Sequence, residues 1–179
     1  MLQPIPVILA AYNPEWPLTT ATHAERLRAL GPNLVTVHHI GSTSVPGLVA
    51  KPIIDLMPVV TNLTRLDEQR QHVEALGYRW RGKFGILGRR NCTLNNGAGV
   101  RSVQLHFFKA GSPHVERHIA FRDYRRAHPE EANAYAIEKH RAQNLHSMNS
   151  HAYADEKDKW IRAVEIKALI WSSKQKTAH

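Results

Sequence analysis

Two apolar, β-branched runs, Leu34 to Ile40 and Ile53 to Val60, flank the segment Gly41-Ser42-Thr43-Ser44-Val45-Pro46-Gly47-Leu48-Val49-Ala50-Lys51-Pro52. A chain patterned this way builds a sheet in which a Gly-Ser turn lies at the end of one strand. The next strand then carries Asp55 as a lone acid in an apolar run. Such a turn frees backbone N–H groups and a hydroxyl for phosphate oxygens, the more so where a helix begins. Lys51 adds positive charge nearby, and a hard carboxylate oxygen is what magnesium takes. The order strand, Gly-Ser turn, short helix, strand with acid is what phosphate chemistry with a divalent metal requires. A purely structural reading stands beside it, because Gly-Ser-Thr-Ser also starts helices and one Asp can end a strand.

Periodicity and turn signals place the other elements. Val7 to Ala11 reads as a short strand, Asn13-Pro14 as a turn, and Glu15 to Leu30 as a helix stopped by Gly31-Pro32. Thr64 to Leu76 reads as a helix ended by Gly77. The glycine-punctuated stretch from Tyr78 through Gly82, Gly85 and Gly88 reads as a loop arching over a site. Asn91 to Leu94 and Val100 to Phe108 flank Asn95-Asn96-Gly97-Ala98-Gly99, a hairpin signal. Three helices follow, near Ser112 to Ala127, Pro129 to Asn144 and Ala152 to Trp171. Strands first and helices later predict an α+β fold: a mixed, mostly antiparallel sheet packed by helices, with a helical C-terminal third. Residues 1–171 are expected to form one domain and 172–179 a disordered tail.

Charge narrows the partners. Lys and Arg number 24 against 15 acids, a balance of +9, which favours anionic partners such as nucleotides or nucleic acid. Cys92 is the sole cysteine, so no intramolecular disulfide forms and it reads as apolar filler. No apolar run approaches a membrane span, and Pro4 to Ala10 is too short and proline-broken for a secretory leader; a cytoplasmic protein with no membrane partner is expected.

The run His39 to Asp55 resembles the signature of the GrpB family. The likeness continues through Tyr12-Asn13-Pro14-Glu15-Trp16-Pro17, Leu105-His106, Gly111-Ser112-Pro113, Arg117-His118, Phe121-Arg122-Asp123-Tyr124, and Tyr153 with Lys157. That resemblance implies a polymerase-beta-like nucleotidyltransferase fold. It also implies transfer of a nucleoside monophosphate from a nucleoside triphosphate, with Mg2+ or Mn2+, to an unidentified small-molecule acceptor. Twelve residues separate Ser42 from Asp55, a spacing that fits. Two departures stand out: Met57 occupies the place of a second acid, and His38 the place of a glutamate. A thioether is a poor magnesium ligand.

The candidate site follows from turn chemistry and the resemblance. Gly41, Ser42, Ser44, Lys51 and Arg90 are the phosphate-binding candidates, with Arg89 next to the last. Asp55 is the metal ligand. His106 shares a strand face with Gln104 and is either a second ligand or the base for the acceptor. His39 either donates to an oxyanion or caps the turn. Arg117, His118 and Arg122 on the following helix, and Lys157 on the last, are further candidates; each also reads as a solvated helix residue. His114 and His118 have zinc-ligand spacing but lack a zinc-protease glutamate.

Three functions compete. The first is a metal-dependent nucleotidyltransferase. The second is a non-catalytic nucleotide or small-anion binder with a degenerate site. The third is a nucleic-acid module built on the basic helix from Arg117 to Arg126. The sequence leaves the acceptor, the base preference and the oligomeric state open.

Overall fold

The computed structural model describes residues 5–177. Its centre is a five-stranded sheet of β1 (Leu34–Ile40), β2 (Ile54–Val60), β3 (Arg79–Gly82), β4 (Arg89–Asn95) and β5 (Arg101–Lys109), in the spatial order β1-β2-β5-β4-β3. Only β2 and β5 run parallel; the other neighbours are antiparallel. The hairpin joining β4 to β5 turns where Asn95-Asn96-Gly97 signalled it, with Asn96 accepting from the N–H groups of Ala98 and Val100. The parallel pair needs a crossover, supplied by α2 (Leu63–Glu68), α3 (Arg70–Ala75), β3 and β4.

The strands alternate between two environments. Leu56, Val60, Leu105, Phe107 and Cys92 point to one face, where α1 (Trp16–Leu27) contributes Leu27 and α2 and α3 contribute Leu66 and Val73. Ile40, Met57 and Phe108 point to the other, toward Val115 and Ile119 of α4 (Pro113–Ala127). α4 packs in turn on α5 (Pro129–His146) and α6 (Ser150–Thr177), with Ala120 and Tyr124 against Val164 and Ala168. Along α6, Val164 is buried and Trp160 and Ile161 are partly buried, whereas Leu169 is exposed.

The structure corrects several expectations. Val7 to Ala11 forms no strand: Val7 N–H donates to Ser147 O at 2.7 Å, and only Ala10 pairs, in a single antiparallel bridge to Ala50. The first helix stops at Leu27 and tightens into a 3-10 segment, Arg28–Asn33, kinked at Gly31. The helix expected over Thr64 to Leu76 breaks into α2 and α3 at Gln69, whose amide donates to Leu30 O at 2.9 Å and accepts from Asn33 Nδ2 at 3.0 Å. Tyr78 onward is not all loop, since Arg-Trp-Arg-Gly pairs as edge strand β3. Residues 172–177, expected to be disordered, continue α6. Trp171 packs on Tyr124 and His128, and Lys176 pairs with Glu116 at 2.6 Å. The rest of the expected tail, 178–179, lies outside the described residues. No described helix is long and apolar enough to cross a membrane.

Candidate active site

Register builds the site. Ile40, the last residue of β1, pairs with Asp55 on β2, so the chain leaving β1 turns directly over the Asp55 carboxylate. Gly41 makes that turn at φ +71°, and a Cβ placed there would lie 2.7 Å from Asp55 Oδ2. Only glycine tolerates both the left-handed backbone and the contact. The turn and the acid therefore face one another, and the Asp55 side chain, 31% exposed, is open to a ligand.

The turn holds itself together with some of its polar groups. Ser44 Oγ donates to Gly41 O at 2.6 Å, and Ser44 is buried. Its hydroxyl proton is thus engaged inside the turn. Thr43 is buried and its hydroxyl meets His39 Nε2 at 2.9 Å. Burial first, then Arg126 and Arg122 against the opposing pull of Asp55, bring the His39 pKa down to about 4. His39 caps the turn as an uncharged imidazole. Ser42 remains half-buried, close to the Tyr135 phenol.

His106 is drawn to Asp55, with Nε2 3.0 Å from Oδ1. Its other nitrogen, Nδ1, lies 3.4 Å from Arg89 Nη1. An arginine only donates, so Nδ1 accepts and the ring hydrogen sits on Nε2, donating to Asp55. In that tautomer the ring orients the Asp55 carboxylate. Arg89 also donates to Lys83 O and Phe84 O, so it ties the β3–β4 loop to the Asp55–His106 pair.

Arg90 lies on the opposite face. Strand alternation puts it beside α2, where it grips both oxygens of Asp67 at 2.5 Å; this corrects its assignment to the phosphates. The α4 residues are also redirected. Arg117 donates to Glu165 of α6 at 2.6 Å, Arg122 to Asp123 and to His39 O, and Arg126 to Ser44 O at 2.6 and 2.8 Å. Arg125 is buried. Through Arg122 and Arg126 the helix braces the turn. His118 faces His106 with ring centroids 6.1 Å apart, and burial, aided by Arg117, His106, His114 and Arg89, takes its pKa down to about 2. His114 stacks on Phe108 instead of joining a zinc site.

Lys51 and Lys157 do reach the neighbourhood of Asp55, whose charge opposes the lowering of both their pKa values by burial. Behind them lie two cations the sequence reading did not single out, Arg125 and Lys139. The overlooked signal is an aromatic residue four positions before a cation, repeated on three helices: Phe121 and Arg125, Tyr135 and Lys139, Tyr153 and Lys157.

A divalent cation has a sparse set of protein donors. Among the described residues no three His, Cys, Asp or Glu side chains form a metal cluster. Met57, where a second acid would stand, is fully buried against Ile40 and Phe108. Asp55 Oδ2, pointed at the turn, still fits magnesium, which is commonly held by one or two carboxylates together with substrate phosphates.

A mixed sheet with a Gly-Ser turn set over a strand-borne carboxylate has the architecture of the nucleotidyltransferase fold. Cid1 poly(U) polymerase in its MgGTP-bound crystal structure matches with a TM-score of 0.54 and 16% identity, over 74% of this chain and 44% of that one, a likeness of fold. The model of the family described as GrpB protein matches residues 6–167, and the chain belongs to that family. The crystal structure of conserved protein GrpB from Enterococcus faecalis has a TM-score of 0.86 and 34% identity, covering 92% of this chain and 99% of that chain. UPF0157 protein YqkA of Bacillus subtilis is 36% identical over 174 residues, 97% of this chain and 50% of that protein. The chain thus spans about half the length of that relative.

Proposed function

We propose that this protein is a nucleotidyltransferase that binds a nucleoside triphosphate between the Gly41–Ser42 turn and Asp55. The observation that carries the reading is the placement of the Gly41 turn over Asp55, so close that an added Cβ would meet Oδ2, which brings one carboxylate oxygen to a turn of the kind that suits phosphate. The acceptor's nucleophilic atom would attack the α-phosphorus; the bond to the bridging oxygen breaks, pyrophosphate leaves, and the acceptor's proton passes to water. Gly41 and Ser42 orient the phosphates, Lys51 offsets charge on the leaving group, and His106 holds the carboxylate in place. Magnesium or manganese, held by Asp55 and phosphate oxygens, would supply Lewis-acid neutralisation of the triphosphate. The fold likeness to a polymerase described with MgGTP supports the substrate class.

Incubation with α-labelled nucleoside triphosphates, magnesium or manganese and a small-molecule extract tests this. Transfer of label by the native chain and its loss in Asp55→Ala is the expected result; equal transfer by that variant removes Asp55 from the site. A second reading, a nucleotide or small-anion binder without turnover, is favoured by buried Met57 and by His106 occupying Asp55 Oδ1. Saturable binding with no transferred label selects it.

A further inference from the structure

The strongest unspent chemistry in this molecule is the group of cations behind the turn. Arg125 Cζ lies 4.0 Å from the Phe121 ring centroid and 5.2 Å from that of Tyr135. Lys139 Nζ lies 4.5 Å from the centre of the Tyr135 ring. Lys157 Nζ lies 4.0 Å from the Tyr153 ring and 5.8 Å from Tyr135, and Lys51 Nζ lies 5.6 Å from Tyr153. Arg125, Lys139 and Lys157 are all buried. Their non-aromatic contacts are few: Arg125 Nε donates to Phe121 O, Lys139 to Val49 O, and Arg125 Nη1 has no partner.

Counter-charge is lacking. The two glutamates nearest in effect, Glu138 and Glu165, are engaged by Arg141 and Arg117. Among the described residues none of the four cations forms a salt bridge, and Asp55 is the one carboxylate whose field reaches both Lys51 and Lys157 from within the site. Cation–π contacts offset only part of the cost of burying charge. Consistent with that deficit, burial and mutual repulsion take Lys139 down to about 6 and Lys157 to about 7. Tyr135, ringed by three of these cations, lies close to Ser42, so the cluster abuts the phosphate turn.

We propose that Lys51 and Lys157, backed by Lys139 and Arg125, form a polyphosphate subsite beside Ser42 that holds a chain of two or more phosphates directly, without a divalent cation. The inference rests on the reading of the turn as a phosphate site and names what the rest of the ligand meets. Ammonium groups would do here what a second acid and its metal would otherwise do, which accounts for a site that keeps its anion-binding side while Met57 fills the acid's place. A polyphosphate brought to these lysines supplies the counter-charge they lack and favours their protonated forms.

Isothermal titration of the full chain with inorganic tripolyphosphate in excess EDTA tests the subsite. Saturable binding is expected, weakened at least about tenfold by Lys157→Met and unchanged by Lys159→Met, which removes an exposed lysine of the same helix. Should Lys157→Met fail to give a native thermal melt, Lys51→Met serves the same purpose from a less buried position. Binding that requires magnesium, or equal affinity in a folded Lys157→Met or Lys51→Met variant, overturns the proposal. A parallel titration with a nucleoside triphosphate identifies the source of the chain: tighter binding than tripolyphosphate means a nucleotide tail, equal binding a free polyphosphate, and either supports the subsite. Binding that survives EDTA with no transfer of label breaks the transfer reading and leaves the subsite standing. Label transfer with binding only in magnesium does the reverse.

Discussion

The two faces of the sheet are built to opposite specifications from the same strands. On one, Leu56, Leu105, Phe107 and Cys92 are sealed beneath α1 to α3 with almost no polar group to satisfy. On the other, one residue away along each strand, Asp55, His106 and Arg89 share space with Met57 and Phe108, and a cation cluster lies behind the turn. The first face carries stability, through area removed from water. The second carries buried charge that the fold tolerates only because the first is secure.

Substitutions sharpen this contrast, beginning with the largest effect. Phe107→Ala on the sealed face is expected to cost about 3–5 kcal/mol by urea denaturation, while Asp55→Asn, which keeps a hydrogen-bonding side chain opposite His106, should cost no more than about 1 kcal/mol. Equal losses would mean that the two faces are not specialised. Gly41→Ala should cost about 1–3 kcal/mol through its left-handed backbone, and the added Cβ, which meets Asp55 Oδ2, should abolish phosphate binding as read by titration.

Stability should also respond to pH through the charged face. Unfolded lysines hold their proton to about pH 10.4, whereas Lys157 and Lys139 titrate at about 7 and about 6 in the fold. Between those limits the unfolded state binds more protons, so stability rises with pH, by up to about 1.4 kcal/mol per unit for each lysine. Below about pH 6 both states are protonated and this contribution is flat, with its cost fully present. Thermal melts from pH 6 to 10 should show the rise, and Lys139→Met should reduce its slope. The smallest effect is expected from Arg90→Ala: losing the partly exposed Asp67 pair should cost about 0–1 kcal/mol with no change in ligand affinity, whereas a loss of affinity would place Arg90 in the site after all.

The contrast between Arg89 and Arg90 illustrates where sequence reading reaches its limit. Both follow Gly88 and both carry the same chemistry; strand register alone sends one to His106 and the other to Asp67. The same limit applies to Ser44, Arg117 and Arg122, whose side chains are consumed by partners distant in sequence or by the turn itself. Local signals were sufficient for β1, matched residue for residue, and for α4 to α6 within a few residues at most termini, because periodicity and Pro or Gly punctuation act over a few residues. They were insufficient for β3, where Arg-Trp-Arg-Gly lacks an apolar alternation and becomes a strand only because β4 offers an open edge.

By itself, the chain's order of residues determined that a glycine turn would follow a strand and that a strand-borne acid would come next, since dihedral freedom at Gly41 and alternation around Asp55 are local properties. Tertiary structure alone decided that the turn and the acid would meet, that His106 would donate to Asp55 rather than stand free, and that three helices would bring their cations to two tyrosines. The reason is physical: a residue's intrinsic chemistry is carried with it, but its partners are set by register and packing between segments far apart in the chain.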